Sequence, residues 1–361
     1  MRQPRVWCGV VAVLAAAAVG CGAGGADSAW SSKAPQGGAG GGAGFPVEVT
    51  DCEGGRTTVT APPRAIVTSN ASALELLLRL GAGDKVVGTG FPPGKGTLPG
   101  ELGERALKVP VLSKTVIPKE KLLGSGADLY IDTFASANRG GHGMGDKPTP
   151  EEFEAAGITH MYLKSTACSG TAKKPLTDLT AVADDIRTLG AVTGTGDKAA
   201  ELVAGMNRKT DAVRKAVGTT PEKERPTYFL FDYDAGTKQP IAVCNRQIAH
   251  AVITLAGARN VFADCDDTFR QVGWEDVVAA DPDWIQLAVR DRGDAAATEK
   301  AFDEARAWLE GNAATRGLKA VKEGRYLRIG SEATTIAGVR NADTVEQIAA
   351  ALYPSKVKAG R

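Results

Sequence analysis

Histidine is scarce in this chain, and its few copies are spread widely. Three occur among 361 residues: His142, His160 and His250. A zinc site needs several convergent nitrogen, sulfur or carboxylate ligands. His142 shares a loop with Met144, His160 begins a predicted strand, and His250 lies in a predicted helix. We therefore expect no metal ion to be ligated by the protein itself.

Common catalytic motifs are also missing. No GxSxG, HExxH or GxxxxGK[ST] pattern occurs. The stretch GTGDKA at 194–199 is similar to a dinucleotide fingerprint, but a predicted helix precedes it where that motif needs a strand. Since no nucleophile can be paired with a base, the sequence favours a binding protein over an enzyme and predicts no catalytic residue.

Charge of one sign is not concentrated anywhere. Lys and Arg total 43 against 42 Asp and Glu, a formal net charge of +1. Nucleic-acid-binding proteins gather positive charge on one stretch or face, so we expect no nucleic-acid partner. After the first 20 residues no run of 18 apolar residues occurs, so no later membrane span is expected.

The N-terminus, by contrast, carries an export signal. Arg2 and Arg5 precede an apolar segment, 6–19, that is too short to span a bilayer but fits a signal peptide. Its end, AAAAVGC, resembles a bacterial lipobox with Cys21 as the lipidated residue. Ala18 replaces the larger aliphatic residue usual in that motif. A signal peptide cleaved without lipidation is the alternative.

Residues 21–44 form the predicted lipid-anchored linker that follows the signal peptide at 1–20. They are mainly Gly, Ala and Ser, a composition that behaves as a flexible chain. Attachment of fatty acyl groups such as palmitate would hold the protein on the extracytoplasmic face of the cell membrane. We expect the folded part to begin near residue 45.

Cysteine is used sparingly, in a pattern that suits an exported protein. Cys8 lies in the signal peptide, and four cysteines remain after Cys21, namely Cys52, Cys168, Cys244 and Cys265. An even number favours disulfides, with three possible connectivities. Pairing Cys244 with Cys265 closes a short loop, worth roughly 3 kcal/mol in the loop-entropy account. Cys52 would then form the second disulfide with Cys168. Free buried thiols are the alternative, and the absence of CxxC disfavours a zinc ribbon.

One long periodic segment, 195–217, lies near the middle of the chain. Apolar residues recur there at spacings of three, four and seven, which predicts an amphipathic helix of roughly 32 Å. Strands alternating with helices precede it and follow it, which indicates mainly parallel sheets. We predict a rigid spine between two α/β lobes, with an N-terminal lobe over 45–175, a helical region over 176–218 and a C-terminal lobe over 219–361.

Helix boundaries in the first lobe are marked by capping chemistry. Ser72 and Glu75 have the spacing of a capping box in SALELLLRLG, and Gly81 is the expected stop. In TPEEFEAAG, Thr149 is the expected cap and Glu152 closes the box.

The order of segments resembles a known family. The first lobe reads PPRAIVTSNASALELLLRLGAGDKVVGTG, then PKEKLLGSGADLYID, then FEAAGITHMYL. The second reads PIAVCNRQIAHAVITLAGARNVFADC, then VGWEDVVAADPDWIQL. Together they are similar to the periplasmic binding proteins for ferric siderophores, haem and cobalamin. The resemblance implies a class III solute-binding protein, with two α/β lobes joined by one long rigid helix.

The resemblance also implies a function. The chain would be the substrate-binding lipoprotein of an ABC importer that captures an iron–siderophore-type chelate between its lobes, with iron arriving already chelated. Expected partners are a permease dimer with its ATPase, and the protein itself is expected to be a monomer. Haem or cobalamin binding by the same fold, or a sensor lipoprotein outside transport, are the alternatives.

Two glutamates match the family's permease-docking positions. They are Glu120 in PKEKLL and Glu275 in GWEDVV. A carboxylate on each lobe can set the register on a two-fold partner through charge-assisted hydrogen bonds. The alternative is that each merely complements the dipole of a helix first turn.

Ligand contacts are expected on the loops that follow strand ends. Arginines would pair with anionic ligand oxygens, and aromatic rings would pack on a macrocyclic or aromatic ligand. The candidates are Asn70, Phe91, Arg139, His142, Tyr233, Arg246, Arg270 and Thr334.

Overall fold

A computed structural model describes residues 44–134, 147–218 and 220–357. The N-terminal lobe contains β1 (Val47–Thr50), β2 (Arg56–Val59), β3 (Ile66–Thr68), α1 (Ala71–Leu80), β4 (Val86–Thr89), α2 (Gly100–Leu107), α3 (Lys119–Leu123), β5 (Leu129–Asp132), α4 (Pro150–Ala155), β6 (Thr159–Tyr162) and α5 (Lys164–Ala167). β1 and β2 form an antiparallel hairpin. The other four strands form a parallel sheet in the order β4-β3-β5-β6.

Capping explains where the helices of this lobe begin and end. The capping box of Thr149 and Glu152 is present at α4, as predicted. At α1 the prediction was wrong, because Asn70 is the N-cap and accepts a hydrogen bond from the Ala73 amide at 3.1 Å. Gly81 ends α1 in the left-handed conformation, at φ 79°.

The predicted spine is confirmed as one helix, α7 (Gly196–Val217), which follows α6 (Thr180–Thr193). Its buried face consists of Ala199, Val203, Met206, Thr210, Val213 and Val217. The apolar residues of this face belong to a core that includes side chains of α1 and β3 from the N-terminal lobe and of α8 (Ile248–Leu255) and α13 (Arg340–Leu352) from the C-terminal lobe. A continuous core of this kind couples the two lobes mechanically.

The C-terminal lobe repeats the alternation. It contains β7 (Thr227–Asp232), β8 (Ile241–Val243), α8 (Ile248–Leu255), β9 (Arg259–Asn260), β10 (Phe269–Gln271), α9 (Trp274–Ala280), β11 (Trp284–Ala288), α10 (Ala295–Gly311), α11 (Lys319–Lys322), β12 (Tyr326–Arg328), α12 (Ser331–Thr335) and α13 (Arg340–Leu352). Its main sheet is parallel in the order β12-β11-β7-β9. β8 and β10 form a separate antiparallel pair.

Both four-stranded sheets have the same topology. When the strands are numbered in chain order within each sheet, the strand order is 2-1-3-4 in both cases. The third strands, β5 and β11, are each preceded by a short helix, α3 and α9. The fold prediction of two α/β lobes with mainly parallel sheets and one long connecting helix is confirmed.

Two disulfides are present among the four cysteines. Cys52 is bonded to Cys168, and Cys244 to Cys265. The first joins the β1–β2 hairpin to the chain just after α5, and the second closes a loop within the C-terminal lobe. No helix in the described ranges is long and apolar enough to cross a bilayer.

Candidate functional site

The carboxyl ends of the two parallel sheets define the candidate site. Ligands of open α/β sheets bind outside the carboxyl ends of the strands. The loops there meet across the lobes, because the Gly94 amide donates to Asp291 Oδ2 at 2.7 Å and the Lys95 amide to the Gly293 carbonyl at 2.8 Å. We call the region between these two sets of loops the cleft.

A buried hydroxyl network supports the N-terminal side of the cleft. Ser69 and Thr133 hydroxyls are 2.9 Å apart, and Asn70 Nδ2 donates to Thr133 Oγ1 at 2.7 Å. Thr68 donates to Thr89 at 2.9 Å. Asn70 is only 3% exposed, and both ends of its amide are engaged. It therefore braces the strand ends, and its predicted ligand contact finds no support in this geometry.

Two aromatic residues follow the strands that end at this network. Phe91 follows β4 and Phe134 follows β5, and their ring centroids are 5.6 Å apart. Phe91 is 37% exposed, one of the more exposed large apolar side chains in the described residues. Phe134 was not predicted, although its position two residues after a buried strand is the signal that marks Phe91.

An ionic cluster fixes the beginning of the loop after β5. The Asp132 carboxylate is fully buried and accepts the Phe134 amide at 2.8 Å. Lys147 Nζ and His160 Nε2 each lie 3.2 Å from Asp132 Oδ2. Burial, with the Asp132 charge nearby, raises the pKa of the Tyr130 phenol well above its usual value. These groups satisfy one another and position Phe134.

On the C-terminal side, Tyr233 is the aromatic residue at the end of β7. Its ring is half-buried and lies 6.0 Å from that of Phe231 in an edge-on arrangement. Phe231 in turn packs on Trp274 at 5.4 Å and on Trp308 at 5.6 Å. Tyr233 is thus the outer member of an aromatic stack, and a ligand against it would lie close to two tryptophans.

Charged residues on the loops after β7 and β11 bind one another next to Tyr233 in the chain. Asp234 accepts the Arg290 amide at 2.7 Å and pairs with the Arg292 guanidinium. The Asp291 amide donates to Glu332 Oε1 at 3.1 Å, and burial raises the pKa of the Glu332 carboxyl. Sequence reasoning missed Arg290, Asp291 and Arg292, although all three directly follow the buried strand β11 and its neighbour Val289.

Three predicted ligand residues of the C-terminal lobe have different placements. Thr334 is fully buried and accepts a hydrogen bond from Gln286 Nε2 at 2.8 Å, so it faces the lobe interior. Arg246 donates to the Asp266 carbonyl within its own lobe and to the Ala172 carbonyl at 3.2 Å. The bond to Ala172 links it to the N-terminal lobe. Arg270 is exposed on β10. Arg139 and His142 lie outside the described residues.

The two candidate docking glutamates occupy equivalent places in the lobes. Glu120 is in the first turn of α3 and Glu275 in the first turn of α9, and both are exposed. The Glu275 side chain folds over Gly273, where an added Cβ would come within 2.1 Å of Oε1. Because α3 and α9 each precede the third strand of their sheet, the two carboxylates occupy equivalent positions in the two lobes.

The described part of the chain contains no group of three or more His, Cys, Asp or Glu side chains placed to hold a metal ion. The groups that the structure does place at the two sheet edges are aromatic rings, hydroxyls and ion pairs.

Comparison with known proteins assigns this architecture. The chain belongs to the periplasmic binding protein family, whose sequence profile matches residues 66–333. It has the class III solute-binding fold of that family. A solved periplasmic binding protein from Veillonella parvula superimposes with a TM-score of 0.70 at 24% identity, covering 86% of this chain and 98% of that chain.

Three further relatives carry more specific descriptions. The structure of an ABC-type Fe3+-hydroxamate transport system from Saccharomonospora viridis is 26% identical, with a TM-score of 0.69 and coverage of 85% and 99%. A cobalamin-binding protein of Halobacterium salinarum is 29% identical over 260 residues, which span 70% of this chain but only 62% of that protein. An uncharacterized ABC transporter substrate-binding lipoprotein of Bacillus subtilis, YvrC, is 26% identical over 87% of this chain and 88% of the relative.

Proposed function

We propose that the chain is the substrate-binding component of an ABC importer, and that it captures an iron–siderophore-type chelate in the cleft for delivery to a permease. The observation that carries the proposal is the pair of parallel sheets with the same strand order, whose carboxyl ends are held against each other by Gly94 and Asp291. Membership of the family supports it. The protein would act by binding alone.

A ferric hydroxamate is the ligand we favour. The Saccharomonospora viridis relative, described as an Fe3+-hydroxamate transport system, matches over most of both chains. Cobalamin is the second candidate, because the Halobacterium salinarum relative is described as cobalamin-binding. Phe91, Phe134 and Tyr233 offer rings that suit the apolar faces of a chelate.

We further propose that the protein is anchored outside the cytoplasm by lipid on Cys21. The lipobox-like AAAAVGC sequence and the Gly-rich stretch that follows support this, as does the description of the Bacillus subtilis relative as a lipoprotein. The anchor would keep a monomeric binding domain within reach of the permease.

The ligand experiment uses intrinsic fluorescence of residues 45–361. Trp274 and Trp308 lie behind Tyr233 through Phe231, so occupation of the cleft should quench them. The probes are a ferric trihydroxamate, a ferric catecholate, haemin, cyanocobalamin and the iron-free trihydroxamate. We expect saturable quenching by the ferric trihydroxamate and none by its iron-free form. Quenching only by cyanocobalamin would select the second candidate, and no binding to any probe would refute both.

The docking proposal is tested separately. Replacing Glu120 and Glu275 with arginine reverses a charge on each lobe at exposed sites. We expect uptake in cells to fall at least tenfold, while the quenching titration is unchanged. The control is Glu201→Arg on α7, another exposed helix glutamate. Equal uptake by the double variant and the control would contradict the docking role.

A further inference from the structure

A stretch of irregular chain links the two lobes at one side of the cleft. We call residues 169–178, between α5 and α6, the strap. Apart from one 3-10 turn at Ser169–Thr171 it has no regular structure, and most of its residues are exposed. Such a segment buries little surface of its own, so it needs contacts from outside to hold one conformation. The partners of the strap therefore determine where it lies.

Arg246 of the C-terminal lobe contacts the strap through its guanidinium. Its Nη1 atom donates to the Ala172 carbonyl at 3.2 Å, and its Nη2 atom donates to the Asp266 carbonyl within its own lobe. Beside it, the Leu176 amide donates to the Asn245 carbonyl at 2.8 Å. One guanidinium thus joins carbonyls of both lobes, which its planar fork of donors suits better than an ammonium group would.

Both disulfides lie directly beside this contact in the chain. Cys168, which is bonded to Cys52, immediately precedes the strap. Cys244, which is bonded to Cys265, stands two positions before Arg246, and the Cys265 carbonyl accepts the amide of the residue between them at 3.1 Å. The first disulfide fixes the start of the strap to the β1–β2 hairpin, and the second restrains the loop that carries Arg246. Each side of the contact is therefore held covalently.

The strap and the Gly94 contact come from opposite edges of the N-terminal sheet. Gly94 follows β4, and the strap follows β6 through α5. These two are the edge strands, whereas Asn70 and Phe134 follow the central strands β3 and β5. The lobes are therefore joined on both sides of the cleft, and losing either contact would change the spacing between them.

We propose that Arg246 is a positioning residue, which holds the lobes at the spacing that the ligand requires by binding the strap rather than by touching the ligand. The disulfides keep its partners in place before the ligand arrives, which lowers the cost of ordering them on binding. Without the guanidinium the lobes can separate on this side, so a bound ligand leaves faster. This inference rests on the proposed function, because lobe spacing matters to a ligand held between the lobes.

The first measurement is hydrogen exchange in the protein without ligand. We expect the Leu176 amide to exchange at least tenfold faster in Arg246→Ala than in the unaltered protein, because the strap opens locally. Arg246→Lys should lie between them, since an ammonium group can still donate to a strap carbonyl. The control is Arg259→Ala, which removes an arginine that donates to the Arg225 carbonyl at 3.2 Å within the C-terminal lobe. Exchange in the core strand β7 of the same samples measures global unfolding.

Two paired cysteine variants test the part of the disulfides. They are Cys52→Ala with Cys168→Ala, and Cys244→Ala with Cys265→Ala. We expect each pair to raise exchange at Leu176 at least threefold relative to exchange in β7. Unchanged relative exchange in both pairs would show that the disulfides do not hold the contact.

The second measurement is the rate of ligand dissociation, followed by tryptophan fluorescence. The probe is the ferric trihydroxamate, or cyanocobalamin if only that binds. We expect dissociation at least fivefold faster from Arg246→Ala, an intermediate rate from Arg246→Lys, and an unchanged rate from Arg259→Ala.

The combined outcomes separate this inference from the proposed function. Faster exchange at Leu176 with unchanged dissociation would overturn the positioning role. Faster dissociation with unchanged exchange would overturn it too, because Arg246 would then act on the ligand directly. If the unaltered protein binds neither probe, the proposed function fails and the positioning role with it, while the exchange data still decide whether Arg246 holds the strap.

Discussion

At the scale of single residues, Asp185 is the group with the most informative titration. It is buried on α6 and accepts hydrogen bonds from the amides of Lys164 at 2.9 Å and Ser165 at 2.8 Å, which begin α5. Burial raises the pKa of its carboxyl from 3.8 to about 6, against the opposing effect of these hydrogen bonds. The folded protein therefore holds this proton more tightly than the unfolded chain does.

The raised pKa of Asp185 makes the stability of the protein depend on pH. Between about pH 4 and pH 6 the folded state binds more protons at Asp185 than the unfolded state, so this group's contribution to stability falls as pH rises. We expect the free energy of unfolding of the unaltered protein, relative to Asp185→Asn, to decrease by about 2 kcal/mol from pH 4 to pH 7. Denaturant unfolding at both pH values measures it. A difference that stays constant, or grows with pH, would contradict the assignment.

Residue-scale prediction from sequence succeeded where the chemistry was local. The Thr149 and Glu152 capping box involves two residues only three positions apart, and it was found. The same spacing at Ser72 and Glu75 does not form a capping box, because both side chains bind partners elsewhere in the fold. Ser72 donates to the Ala337 carbonyl at 3.0 Å. Nothing in the sequence near α1 reveals a partner more than 260 residues away.

At the scale of elements, the loop after β4 and the loop after β11 are linked by hydrogen bonds at Gly94 and Lys95. Gly94 has no space for a side chain, since a Cβ would lie 2.2 Å from Asp291 Oδ1. The Asp291 carboxylate is itself held by the Gly293 amide at 2.8 Å. The contact therefore depends on the absence of a side chain at position 94.

Gly94→Ala should separate these loops. We expect faster hydrogen exchange in peptides covering both 91–100 and 290–296, because the added methyl group displaces the carboxylate that joins them. Gly317→Ala is the control, since a Cβ there meets nothing within 4 Å. Exchange that changes only in the peptide containing residue 94 would argue against coupling between the lobes.

The helices and strands were largely predictable from the sequence, but the contacts between them were not. The spine helix and the strand alternation follow from apolar periodicity, which is a property of short segments. The cleft contacts depend on loop geometry between segments about 200 residues apart, as at Gly94 and Asp291. For the same reason Arg246 was predicted to face a ligand, whereas it donates to carbonyls of both lobes.

At the scale of the whole molecule, a buried ionic cluster joins the lobes behind the cleft. Glu75 of α1 is 2% exposed and lies 2.7 Å from Arg79 and 2.8 Å from Arg340, the first residue of α13. Removing one partner of a buried ion pair leaves the others without a counter-charge.

We expect Glu75→Ala to lower the free energy of unfolding by about 3 kcal/mol. The control, Glu201→Ala, removes an exposed ion pair with Lys198 and should change stability little. Denaturant unfolding compares the two variants. Equal, small effects would show that the cluster does not hold the lobes together.

The disulfide between Cys52 and Cys168 has a mechanical consequence. Tension along the chain ahead of β1 reaches Cys52 after a single short strand and passes through the sulfur bridge to Cys168. The two cysteines are 116 positions apart, and the chain between them, which includes Phe91 and Phe134, lies off this load path. A protein pulled by its N-terminus can therefore bear force without distorting the N-terminal wall of its cleft.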